Sequence, residues 1–113
     1  MTYMDQSLQD LAEDVRHLAL SAVRTLVERG PHGLVEDGLC PPEWEQSLTE
    51  NRNDYPDTLI MPPESAEVYF YVRDGVWEID LPLHGRDGRM DLLIFLEIDP
   101  TTRSVRLRGL YTP

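Results

Sequence analysis

The side chains best equipped for chemistry lie on two alternating segments in the second half of the chain. Glu78 and Asp80 stand two residues apart, flanked upstream by Tyr69 and Tyr71. On an extended strand that spacing projects both carboxylates from one face, where mutual repulsion can raise one pKa and make an acid–base pair. The nearby tyrosine hydroxyls offer hydrogen bonds that would instead settle the same carboxylates as structure. A glycosidase-type pair needs more than this, because side-by-side acids arise easily among 21 Asp and Glu residues. His84 lies in a charged connection with Arg86, Asp87 and Arg89, and is either a lone acid–base group or part of a solvated turn. Glu78, Asp80 and His84 are thus the candidates for proton transfer, and no catalytic residue is singled out.

Other reactive side chains are isolated. His17, His32 and His84 share no spacing with Asp or Glu that a metal would need, so no metal site is expected. Cys40, the only cysteine, sits beside Pro41 without a neighbouring base. It reads as a packed thiol more than as a nucleophile, and no intrachain disulfide can form. No phosphate-binding glycine loop or nucleophile triad stands out.

The candidate residues are positioned by a change to period two after residue 66. Val68, Phe70 and Val72 alternate with Glu67, Tyr69, Tyr71 and Arg73, and Asp74-Gly75 follows as a two-residue hairpin turn. That turn opposes Arg73 to Val76, Val72 to Trp77, Tyr71 to Glu78, Phe70 to Ile79, Tyr69 to Asp80 and Val68 to Leu81. One face of the hairpin is then wholly apolar, and the other sets tyrosines beside carboxylates. A third strand over about 89–98 presents Met90, Leu92, Ile94, Leu96 and Ile98 on one side, with Asp91, Leu93, Phe95 and Glu97 on the other. After Asp99-Pro100-Thr101-Thr102, a last strand alternates Val105, Leu107 and Gly109 with Arg106, Arg108 and Leu110.

The second face therefore combines Tyr69, Tyr71, Glu78, Asp80, Leu93, Phe95, Arg106 and Arg108. It is too aromatic for a solvated face and too charged for the core of a monomer. Either a second copy or the helix of Trp44 covers it, or it forms a groove for a peptide or small molecule. Tyr69, Tyr71, Trp77, Phe95, Arg106 and Arg108 are the candidate ligand contacts.

Ahead of the strands, Leu8, Leu11, Val15, Leu18, Ala22, Val23 and Leu26 repeat at helical spacing. They predict a long amphipathic helix over 5–29, capped by Asp5 or Ser7 and stopped by Gly30-Pro31. Small residues at Ala19, Ser21 and Ala22 permit a close approach by the sheet or by a second copy. The segment 31–40 has room for one short helical turn. Pro41-Pro42-Glu43-Trp44-Glu45 opens a second helix anchored by Trp44 and Leu48. Residues 51–65 form a loop in which Leu59-Ile60-Met61 provides a short edge segment. The layout is one α+β domain over 1–113: N-terminal helices packed on a four-stranded antiparallel meander.

A length of 113 residues, 41% hydrophobic, suits one globular core. Ten Lys and Arg against 21 acids give a net charge of −11. That opposes a nucleic-acid partner and favours cationic ones, peptides with Lys or a free amine included. The same charge also serves solubility alone. No apolar stretch approaches a membrane span, and no basic region followed by an apolar run opens the chain. With one cysteine, a cytoplasmic location is expected.

The strand Val76-Trp77-Glu78-Ile79-Asp80-Leu81-Pro82-Leu83, the strand start Gly88-Arg89-Met90-Asp91-Leu92 and the loop Thr58–Glu64 resemble a family of small actinobacterial proteins of mostly unknown function. That family includes the lysinoalanine-forming enzymes of cinnamycin- and duramycin-type lantibiotic pathways. The resemblance runs over roughly residues 8–110 and rests on structural motifs. It implies a cofactor-independent homodimer that joins a lysine side chain of a modified peptide to a dehydroalanine. No catalytic motif aligns, so it implies no catalytic residue. An acidic immunity-type or regulatory protein that blocks a basic partner fits the same size and charge.

Overall fold

Asp74 and Gly75 both adopt positive φ, 52° and 81°, in a computed structural model that describes residues 6–55 and 57–112. Their conformation is that of a two-residue hairpin turn whose twist matches the flanking strands. It joins β2 (Tyr69–Arg73) to β3 (Val76–Gly85) in the expected register, Arg73 opposite Val76 through Tyr69 opposite Asp80. A second hairpin leads to β4 (Gly88–Asp99), and a third to β5 (Ser104–Tyr111). The four-stranded meander is joined by a two-residue strand, β1 (Leu59–Ile60), which pairs with His84 and Gly85 of β3. Five antiparallel strands result, with β1 and β2 sharing one edge of β3.

Both helices lie on the apolar face of this sheet. The first, α1 (Glu13–Glu36), turns Val15, Ala19, Ala22, Val23 and Leu26 toward Ile79, Leu81, Ile94, Leu96 and Leu107, all buried. Ala19 and Ala22 point inward while Ser21 is exposed, so the small residues admit the sheet to the helix. A 3-10 turn at Pro42–Trp44 runs into α2 (Glu45–Asn53), which buries Leu48 against the same core and packs on α1 and β5. The helix of Trp44 therefore does not cover the opposite face, contrary to one of the expected arrangements.

The first helix begins later than its periodicity predicts. Residues 6 and 7 run antiparallel beside 67 and 68: Leu8 N–H donates to Ala66 O and Val68 N–H to Gln6 O, each at 3.0 Å. These bonds occupy backbone groups that a helix would need. Ser7 N–H donates to Asp10 Oδ2 at 2.7 Å, closing a 3-10 turn at Leu8–Asp10. Leu8 and Leu11 reach the core without belonging to α1, which starts after Ala12. The proposed cap Asp5 lies outside the described residues.

At the other end, the helix breaks at Gly30, as Gly30-Pro31 predicts. The φ of 70° and ψ of −169° at Gly30 fall in a region open essentially to glycine alone. Pro31, suited by its fixed φ to a first helical turn, restarts the helix through Glu36. Two clasps hold this short arm. Arg29 pairs with Asp37 at 2.6 Å, and His32 lies between Glu36 (Nε2 to Oε1, 2.8 Å) and Glu45 (Nδ1 to Oε1, 2.5 Å). Only an imidazolium donates from both ring nitrogens.

A bulge in β5 changes the direction of its last residues. Leu96 opposes Leu107 but Phe95 opposes Gly109, so Arg108 is the extra residue. Beyond it the parity reverses. Leu110 faces the core and is 3% exposed, where simple alternation places it beside the arginines. The outer edge of β5 is blocked midway by the loop before α2, where Leu107 N–H donates to Leu39 O at 2.8 Å.

Gly30→Ala is expected to destabilise the fold by about 1–3 kcal/mol, the usual cost of forcing a side chain into that backbone region. Ser21→Ala, on the exposed side of α1, should stay within about 0.5 kcal/mol in the same urea titrations. The second prediction concerns pH. The bond to Glu45, followed by the charges of Glu45 and Glu36, raises the His32 pKa above its ordinary value of 6.5. A raised folded pKa gives stability that is complete below about 6.5 and is lost as pH rises through the folded value. Wild-type stability should therefore decline as pH climbs from about 6.5, and His32→Gln should flatten that decline. Parallel slopes in the two proteins would remove the clasp.

Candidate functional site

The uncovered face of the sheet is a grid whose rows follow the strand pairings. One row reads Tyr71, Glu78, Glu97 and Arg106 from β2 to β5, and the next reads Tyr69, Asp80, Phe95 and Gly109. A third row holds Pro82, Leu93 and Tyr111. Five of the six candidate ligand contacts are thus on or beside this face: Tyr69, Tyr71, Phe95 and Arg106 within the grid, and Arg108 at the bulge. Trp77 is not. Its side chain projects to the opposite face, stacked on Phe70 with ring centroids 5.3 Å apart and packed against the core.

Tyr69 and Tyr71 are exposed, at 38% and 52%, and each already carries a cation of its own chain. The guanidinium of Arg89 lies 5.9 Å from the Tyr69 ring centre, and that of Arg73 lies 5.5 Å from Tyr71. Both distances are within the range of cation–π attraction. Tyr69 also donates its hydroxyl to Glu67 Oε1 at 2.7 Å, and Arg89 forms an ion pair with the other oxygen of Glu67. The Tyr71 hydroxyl pKa is raised, chiefly by a hydrogen bond to Glu78.

The acids are close together. Glu78 directly opposes Glu97, a like-charge pair that a sheet normally avoids. Arg108 offsets part of that repulsion, its Nε 3.5 Å from Glu97 Oε1. Asp80 stands two residues from Glu78, about 7 Å along the strand. His84 is on the order of 13 Å from Asp80, near the opposite end of β3. Burial, then the charge of Arg89, lowers its pKa below 6.5, so it is largely neutral at pH 7. The structure therefore brings Glu78 and Asp80 together and separates His84 from them.

Alternation alone misses Tyr111. The bulge turns it onto the grid beside Leu93, its ring edge-to-face with Phe95 at 6.5 Å. Leu93 projects outward yet is only 3% exposed. A tyrosine ring reaching across β4 accounts for that burial and for the position of its hydroxyl beside Asp80. Burial first, then a hydrogen bond to the Asp80 carboxylate and its charge, push the Tyr111 pKa up to about 12. Oδ1 of that carboxylate is closed off from solvent. Gly109 within a predicted strand was the available signal for the bulge.

A sizeable concavity lies elsewhere. A groove of about 770 Å³ follows the β5 edge past Leu39, Cys40, Trp44 and Val105 and reaches the candidate contacts only at Arg106 and Arg108. Burial raises the Cys40 thiol pKa, so the groove holds no activated nucleophile. No group of three or more His, Cys, Asp or Glu residues that could hold a metal ion occurs among the described residues. None of their helices is long and apolar enough to cross a membrane.

Asp80→Asn is expected to bring the Tyr111 pKa down from about 12. It should remain above 10, the ordinary tyrosine value, because burial is the larger cause. NMR titration of ring-labelled tyrosine measures this, and an unmoved Tyr111 would disprove the contact with Asp80.

No family model matches the chain, and no solved structure matches it. It is similar to inositol-tetrakisphosphate 1-kinase 3 of Oryza sativa, subspecies indica and japonica, at 29% identity over 121 aligned positions. That alignment takes in 99% of this chain and 34% of the rice protein. Inositol-tetrakisphosphate 1-kinase 1 of Oryza sativa subspecies indica is 24% identical over 93 positions, covering 79% of this chain and 26% of the relative. The chain thus spans about a third or less of the length of the curated relatives it matches.

Proposed function

We propose that the outer face of the sheet binds a short cationic peptide and promotes addition of a lysine amine to a dehydroalanine, as in lysinoalanine formation during lanthipeptide maturation. The observation that carries this reading is a face of exposed tyrosines and crowded carboxylates, left open by both helices, on a chain of net charge −11. Such a surface attracts a lysine-bearing peptide and provides flat rings on which it can fold.

The chemistry defines what the face must do. A free lysine amine has a pKa of about 10.4, so a proton must leave before nitrogen can attack. The nitrogen then bonds to the β-carbon of dehydroalanine, and the π electrons move to the α-carbon. A proton returns there, so the product has the mass of the substrate. Holding nitrogen about 3–3.5 Å from carbon supplies much of the acceleration. Preorganisation is therefore the protein's main contribution. Glu78, Asp80 or a group on the peptide itself takes the proton, and no cofactor enters the balance. The companion proposal is a cytoplasmic homodimer in which two open faces enclose the peptide.

One observation favours a non-enzymatic alternative, an acidic immunity-type or regulatory protein for a basic partner. Tyr69 and Tyr71 already bind guanidinium groups in cis, a geometry suited to recognition without chemistry. The rice kinases' names point instead to a phosphorylated substrate. Of the arginines near the face, Arg89 and Arg108 are each paired with an acid, which leaves less positive charge for a phosphate.

Incubation with a dehydroalanine-containing lanthipeptide precursor tests the proposal. The expected result is loss of one free lysine amine at unchanged mass, slowed at least tenfold by Glu78→Gln or Asp80→Asn if either acid is the base. If one of these abolishes turnover and leaves peptide binding intact, the base is not the peptide's own. Tight binding with no cross-link supports the alternative and ends the enzymatic reading.

A further inference from the structure

The outer edge of β5 opens into its groove on one side of the contact with Leu39. Leu107 N–H donates to Leu39 O, so the backbone of Leu107 faces off the sheet. Alternation turns the Val105 N–H and C=O the same way, away from β4, and no loop of the described residues bonds to them. Val105 lines the groove of about 770 Å³ together with Leu39 and Trp44. All three side chains are half-buried, so each still presents apolar surface to an entering molecule. Arg106 lines the same groove, exposed and without an ion pair among the described residues. The two acids of the groove are already engaged: Glu97 by Arg108 at 3.5 Å, and Asp99 by the Thr101 N–H at 3.0 Å.

We infer that this groove receives a short extended peptide, added antiparallel to Ser104–Arg106, in which an apolar residue is flanked by acidic ones. The backbone sets the first requirement. A residue opposite Val105 donates its N–H to the Val105 carbonyl and accepts the Val105 N–H, as peptides do at other open sheet edges. Its side chain then shares the face of Val105 and meets Leu39 and Trp44, which selects an apolar group. Its neighbours in the peptide project to the opposite face. One of them lies beside Arg106, where a carboxylate satisfies the guanidinium with charge-assisted hydrogen bonds.

The contact with Leu39 limits the length of this peptide. Only Ser104, Val105 and Arg106 precede the occupied position at Leu107, so the edge accommodates one short segment and not a second sheet. Local charge decides the choice of flanking residues despite the net charge of −11. At about 0.15 M salt the Debye length is about 8 Å, and exposed acids farther away than that are largely screened. The groove lies past the rim of the outer face, so this inference stands apart from the enzymatic reading.

NMR titration of the nitrogen-labelled protein with acetyl-Glu-Leu-Glu amide tests the groove at about 0.15 M salt. This probe carries an acid on each side of its leucine, so either chain direction sets one beside Arg106. Saturable shifts are expected at the Val105 amide and the Trp44 indole N–H. Affinity should fall at least fivefold for the same probe methylated on the leucine nitrogen, which removes the N–H that bonds to Val105. It should fall as far for acetyl-Glu-Ser-Glu amide, which lacks the apolar side chain, and for the original probe on Arg106→Gln. Undiminished binding of the methylated probe would overturn strand addition. So would the absence of saturable shifts, shifts confined to Tyr69 and Tyr71, or binding of acetyl-Lys-Leu-Lys amide as tight as that of the acidic probe. If Arg106→Gln does not fold, the three altered probes on the wild-type protein still decide the question.

Discussion

Strand register is the constraint on which the rest of this molecule depends. Side chains alternate with a period of two, so a slip of one residue in β2 against β3 would turn Tyr69 and Tyr71 to the core and Phe70 and Val72 away from it. The Asp74-Gly75 turn prevents that slip by holding two successive residues at positive φ. Long strands β3 and β4 carry the register onward to β5, and the helices need supply only one apolar cover. Fold and candidate site are consequences of the same pairing.

Most of that pairing is legible in the residues. The hairpin announces itself through Asp-Gly between alternating runs, and the five observed pairs of β2 and β3 agree with those deduced from the turn. Local pattern is less informative where distant backbone intervenes. Leu8 and Leu11 fit a helical stripe, yet backbone hydrogen bonds from Val68 to Gln6 and from Leu8 to Ala66, with a 3-10 turn at Leu8–Asp10, keep them out of α1. Gly30-Pro31 reads as a stop and is one, while the length of the turn that restarts at Pro31 depends on partners that Arg29 and His32 find in space. Such partners are invisible along a single chain.

The site shows the same division. Tyr69, Tyr71, Glu78 and Asp80 share a face because their spacing requires it, whereas Tyr111 joins them through a one-residue bulge at Arg108. Trp77 has the right chemistry for a ligand contact and the wrong parity. The open face is consequently smaller and more acidic than residue types alone imply. Its character comes from carboxylates placed opposite one another and from aromatic rings engaged with cations.

One backbone contact bears on how this sheet coexists with copies of itself. Exposed strand edges invite foreign strands, and a sheet with strands as apolar as β4 is a template for fibrous stacking. The carbonyl of Leu39 fills the outward hydrogen-bonding position at Leu107, the fourth of eight residues in β5. An incoming strand therefore finds three residues on one side of the plug and four on the other, each run too short to zip. A single loop oxygen thus acts as a terminator, capping lateral growth while leaving the broad aromatic surface free for its own traffic.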